Sequence, residues 1–184
     1  NESIAIAVNF LSVVSSAFVI LFLFWSTTLI LKKISKNNNF TNDTNILLSS
    51  SIGALAFTFS DSFWYNAVET EVYALAMLFL SATFWCGLKW EKDFDNKRGD
   101  KWLLLICFLI GLSFGVHFMA ILTIPAIGMI YFFKKYEKIT IKNFVLANII
   151  SVSILLFIFK LLLPSTLSLF GQLEVFFVNS IGLP

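Results

Sequence analysis

Asp61-Ser-Phe-Trp-Tyr-Asn-Ala-Val-Glu-Thr-Glu-Val-Tyr-Ala-Leu75 carries three carboxylates and four aromatic rings, and no Lys or Arg. From Val72 the chain turns apolar, and that run ends near residue 88 against Lys89, Lys92, Lys97, Arg98 and Lys101. One apolar run thus has acids at its entrance and lysines at its exit. A run bounded this way reads as a membrane crossing with a defined direction, because Lys and Arg concentrate on the cytoplasmic side of spans.

Working outward, apolar runs recur at about 4–31, 46–60, 72–88, 102–116, 118–133 and 144–163. Several are shorter than the ~20 residues usual for a ~30 Å hydrocarbon core, so the charges decide. Lys32, Lys33 and Lys36 follow the first run, and Lys134, Lys135, Lys138 and Lys142 follow the fifth. With the cluster after the third run, these are all but one of the 13 basic residues. If each run crosses once, they fall on one side, which the charge rule makes cytoplasmic. The other side receives Glu2, Asp61, Glu69, Glu71, His117 and Glu174, and only Lys160 breaks the pattern. The expected architecture is an all-α polytopic membrane protein, a single transmembrane domain over residues 1–184 with about six spans and both ends outside.

Composition supports this class. The chain is 58% apolar and 13% charged, with 22 Phe and a mean hydropathy of +0.86, where a soluble domain is nearer a quarter charged. Strand alternation is absent, which argues against a β-barrel. Cys86 and Cys107 lie in apolar runs and read as small core residues without metal spacing. There is no signal-peptide pattern, and the abrupt start and end read as a fragment of a longer protein. No phosphate-cradling glycine loop, nucleophile elbow, zinc motif or nucleic-acid motif is present.

The polar residues each have a plain structural reading. Thr70 suits the N-cap of the third span, with Glu71 in its first turn. Asp61 and Glu69 suit exposed loops, and Ser60 or Asp61 suits the cap of a short interfacial helix carrying Trp64. Gly111 and Gly115 have a helix-packing spacing, and Pro125 is expected to bend the fifth span. Lys160 reads as snorkelling to the outer interface, or as a contact to a lipid phosphate. The acceptor patterns at Asn39 and Asn42 fall on the cytoplasmic side and are discounted. His117, the single histidine, sits at the outer turn of a 102–133 hairpin. Its choices are a satisfied structural role, anion binding, or proton transfer near neutral pH.

Phe63-Trp-Tyr-Asn66-Ala-Val-Glu69-Thr-Glu71-Val-Tyr73-Ala-Leu75 resembles the FW-x-NAV-x-AEVYAL signature of a membrane-protein family. That family includes many bacterial proteins and the animal transmembrane O-mannosyltransferase of plexin-type domains. Val8-Asn9-Phe10-Leu11-Ser12 with Ser16-Ala17-Phe18, Gly111–His117 and Glu174–Pro184 resemble further stretches of it, in the same order. The resemblance implies a GT-C-like glycosyltransferase core, here partial, in a bacterial cytoplasmic (inner) membrane, with residues 61–71 and 117 external. It implies transfer of a mannose-like sugar from a polyprenyl-phosphate donor to a protein Ser/Thr or another acceptor. Partners would be membrane lipid, the lipid-linked sugar and an acceptor protein or glycan, with no nucleic acid, no metal site and no certain cofactor. Related enzymes place a catalytic acid pair in the first external loop. This chain has no such segment, so the base is expected upstream of Asn1. Glu71, His117, Glu69, Asp61, Asn66, Tyr73 and Trp64 are the expected donor- or substrate-binding residues. His117 aligns with a position that often carries Lys, and would contact the donor phosphate. The competing reading is a transporter or a non-catalytic membrane scaffold, with the acids as a cation path.

Overall fold

The computed structural model describes residues 2–38, 42–69, 71–96 and 99–182, and every regular element among them is helical. The elements are α1 (Glu2–Asn38), α2 (Asp43–Thr58), α3 (Asp61–Val68), α4 (Val72–Lys92) and α5 (Gly99–Ser113), then a 3-10 turn (Phe118–Thr123), α6 (Ile124–Lys135) and α7 (Ile141–Phe157). A π segment (Ile158–Leu162), α8 (Leu163–Phe176) and a second π segment (Phe177–Ile181) complete the order. Serine and threonine hydroxyls inside these apolar helices turn back onto their own turns, as Ser50 does to the Ile46 carbonyl and Thr83 to that of Phe79. Helices satisfy their backbone groups internally, which is what a lipid environment demands.

α4 is the hub, packed against α1, α5, the 3-10 turn and α6. It buries the small residues Ala74, Ala76, Ala82, Thr83 and Cys86, and α1, which packs against it, buries a stripe of Ser12, Ser15, Ser16, Val19 and Ser26. Small side chains let helix backbones approach closely, which is how helices associate where lipid removes the usual hydrophobic drive. A Cβ on Gly87 would stand 3.1 Å from Ile127 Cγ1, and one on Gly128 would collide with the Ser151 hydroxyl. These two glycines set the α4–α6 and α6–α7 approaches. Gly111, by contrast, is exposed with open space around it, so the expected packing role of the Gly111/Gly115 pair is not seen. Cys86 is buried as expected, but Cys107 lies exposed on the outer face of α5.

The lysine clusters meet at one end of the bundle. Lys33 pairs with Glu91, Lys32 with Asp43 at 3.6 Å, and Lys134 with Asp95 at 3.4 Å. Each such exposed pair adds at most about 1 kcal/mol; their value here is that they tie the ends of α1, α4 and α6 together. The opposite end gathers the start of α1, the start of α4 and the turn after α5. α7 runs back along α6, with Phe144 near Phe133, Ser151 against Gly128 and Phe159 near Phe118.

Four helices are long and apolar enough to cross a membrane, or five if α2 and α3 make one broken span bent by 66°. That replaces the expected six. The difference has two local causes. The 46–60 run stops at Thr58, Ser60 takes an extended backbone as the N-cap of α3, and the bend follows. The 102–116 run becomes α5, 15 residues or about 22 Å at 1.5 Å per residue. It is joined to the next span by a turn at 114–117, close to the expected hairpin. Separately, the 144–163 run does not stop at 163. It is part of a continuous helical rod from Ile141 to Ile181. Pro164 lacks an N–H for the Lys160 carbonyl, and the wider π turns at 158–162 absorb the mismatch just before it. Lys160, in that π turn, is exposed. Pro125 sits in the first turn of α6, where a missing N–H costs little, and starts that helix after the 3-10 turn.

Candidate functional site

α4 begins one residue later than its sequence suggests. Glu71, in extended conformation, is the N-cap of α4 and makes no side-chain capping bond. The expected capping residue Thr70 lies outside the described residues, as does the Asn39 acceptor pattern. Glu71 is thus a carboxylate at the positive end of a 21-residue helix, a position that favours negative charge, with its side chain exposed rather than folded back onto the backbone.

Glu71, Val72, Tyr73 and Leu75 form one wall of a cavity of about 560 Å³. Val8, Leu11 and Ser12 of α1 form a second wall, and Gly115 and Val116 after α5 close the third. The volume lies within the ~300–1,000 Å³ usual for ligand sites. Most of the lining is aliphatic, and the carboxylate and phenol belong to a single strand of sequence at the start of α4. Such a pocket suits a ligand with an apolar portion and a polar head.

His117 stands beside this cavity. α5 ends at Ser113, whose buried carbonyl accepts the backbone N–H groups of Val116 and, at 2.7 Å, His117. Ser113 Oγ donates to the Ile110 carbonyl at 2.6 Å, which fixes that last turn. His117 then adopts an extended backbone as it enters the 3-10 turn. Its ring lies 5.7 Å from that of Tyr73 and 6.1 Å from that of Phe118. Its Nδ1 is buried without a hydrogen-bond partner. Buried polar atoms are nearly always paired, so an orphan one marks a place where a further group belongs.

The remaining expected residues lie elsewhere on the same end of the molecule. Asp61 opens α3 and is exposed; Trp64 is exposed and stacked on Phe59 at 6.2 Å. Asn66 Nδ2 donates to the Ser62 carbonyl at 2.7 Å within α3. Glu69 caps the C-terminus of α3 and lies in hydrogen-bonding reach of Tyr65. None of these four lines the cavity. The structure therefore brings together Glu71, Tyr73 and His117 out of the seven. α3 itself, expected as a short interfacial helix, forms over Phe63, which is buried 4.8 Å from Phe57. Among the described residues no group of three or more His, Cys, Asp or Glu is placed to hold a metal ion. The cavity's aliphatic members, Val8, Leu11, Gly115 and Val116, were not expected as site residues. Their only sequence signal was that they fall in two of the stretches resembling family motifs.

A family model described as "Protein O-mannosyl-transferase TMEM260 N-terminal domain" matches residues 1–140. The chain belongs to this family. The match covers α1 through α6 and every residue of the cavity, while most of the rod from Ile141 lies beyond it. No curated protein and no solved structure matches the chain. Membership places Glu71, Tyr73 and His117 in a protein O-mannosyltransferase family, whose reaction in general takes a sugar donor and a protein acceptor.

Proposed function

We propose that the chain is the membrane core of a GT-C-like glycosyltransferase. It transfers a mannose-like sugar from a polyprenyl-phosphate donor to a Ser/Thr hydroxyl or another acceptor on the non-cytoplasmic face. The observation that carries this reading is the cavity between α1, α4 and the 113–117 turn, which lies inside the family match and joins aliphatic walls to a carboxylate and an adjacent imidazole. In this reading the aliphatic wall accepts the first isoprene units. His117 contacts the donor phosphate, its orphan Nδ1 or the ring's other nitrogen serving as the donor group. Charge stabilisation of the leaving phosphate is the largest service such a site renders. Glu71 orients sugar hydroxyls at the mouth. No residue of the cavity is assigned as the base that takes the acceptor proton. The lysine-rich end is cytoplasmic and the cavity external, in a bacterial inner membrane.

The test is transfer by the purified full-length protein in liposomes, given labelled polyprenyl-phosphate mannose and a Ser/Thr-bearing acceptor. Label in the acceptor supports the reading. Donor-independent cation flux through the same liposomes, without label transfer, would replace it with the transporter reading.

A further inference from the structure

The geometry points to a second site, at the lysine-rich end, that binds the phosphate of an anionic phospholipid through Lys89. Trp25 of α1, Trp85 of α4 and Trp102 of α5 form a line of rings across three helices, with neighbouring centroids 5.3 and 5.6 Å apart. Phe22 backs this line at 5.4 Å from Trp85. Lys89, one turn beyond Trp85, holds its ammonium 5.4 Å from the Trp102 centroid and 6.0 Å from that of Trp85.

Indole faces position a cation without neutralising it. Of the acids nearest Lys89 in sequence, one is ion-paired and the other keeps its charge while facing Trp102. Glu91 pairs with Lys33, and Asp93 accepts the Trp102 indole N–H at 3.0 Å. The result is a cation held over two rings, with no carboxylate in ion-pair distance among the described residues and Lys92 one turn further along the helix. A phosphate oxygen supplies the counter-charge.

The surroundings select a lipid as its source. Tryptophans at span ends lie at the headgroup level. Below the ring line, Leu104, Leu105 and Phe108 of α5 are exposed apolar side chains that face an acyl chain as readily as bulk lipid. A lysine close to the membrane surface contributes about fivefold to anionic lipid binding. This site lies at the opposite end from the cavity and does not depend on the proposed transferase reaction.

The experiment measures lipid retained by the purified full-length protein in detergent, after exposure to vesicles of phosphatidylglycerol or phosphatidylcholine. Wild type should retain phosphatidylglycerol and little phosphatidylcholine. Lys89→Gln should retain about fivefold less phosphatidylglycerol, Lys89→Arg should match wild type, and Lys138→Gln, an exposed lysine in the α6–α7 connection, should too. Equal retention by Lys89→Gln, equal uptake of both lipids, or displacement of the lipid by millimolar inorganic phosphate would each overturn the site. If Lys89→Gln does not fold, Lys89→Met, which keeps the apolar stem and removes the charge, takes its place in the same comparison.

Discussion

The Tyr73 ring lies 5.7 Å from the His117 ring at an angle of 53°. This contact joins residues 44 positions apart and locks the start of α4 to the turn after α5, the two walls of the cavity that carry polar chemistry. Because the contact is between rings, its loss and the loss of the phenol can be separated. Tyr73→Phe should keep the transfer rate within about twofold of wild type, since an aromatic pair contributes only ~0.5–1.5 kcal/mol beyond its burial. Tyr73→Ala frees the imidazole and should lower kcat about tenfold, which steady-state kinetics on the full-length protein would read.

Gly111 and Gly115, four residues apart, should respond oppositely to enlargement. A Cβ at Gly115 meets nothing nearer than the Leu112 carbonyl at 3.6 Å, so Gly115→Leu folds, but its side chain enters the cavity. Donor KM should rise with little change in melting temperature. Gly111 has open space, and Gly111→Leu should leave KM unchanged. A pair of assays across a donor titration checks both.

The α6–α7 approach predicts a specific rescue. Gly128→Ala drives a methyl into the Ser151 hydroxyl, an overpacking cost of about 1–3 kcal/mol. Ser151→Ala removes the hydroxyl and leaves the two Cβ atoms at ordinary contact, so the double variant should recover most of that loss. Thermal melting of the four proteins of this cycle measures the coupling.

The gathering of lysines at one end of the molecule was more legible in the sequence than the span count. Lysine clusters are long-range signals, and the pairs Lys33–Glu91 and Lys134–Asp95 gather at one end as the charge sorting required. What was hidden depended on neighbours. Gly87 and Gly128 matter because Ile127 and Ser151 stand opposite them, which no spacing rule reveals, whereas the rule-obeying Gly111 packs against nothing. The apolar run ends at 163, just before Pro164, but π turns upstream let the helix pass that proline. The same holds for the site. Glu71, Tyr73 and His117 stand out as polar groups in an apolar chain, but the aliphatic wall from α1 becomes part of the site only once α1 lies parallel to α4. Trp64, Asn66 and Glu69 share the motif with Glu71, and Asp61 precedes it, yet the short helix α3 and its cap hold all four away from the cavity.

The central claim is that the imidazole of His117 and the carboxylate of Glu71 serve one donor site. Its most direct test is the single-turnover rate of sugar transfer from polyprenyl-phosphate mannose by the full-length protein, with His117→Ala and Glu71→Ala compared with wild type. The account predicts a loss of about 10²–10³-fold for His117→Ala, the scale of removing one charge-stabilising donor. For Glu71→Ala it predicts about 10–100-fold, the scale of a hydrogen bond to a charged group. Near wild-type rates in both variants, each shown to be folded by its melting temperature, would contradict it.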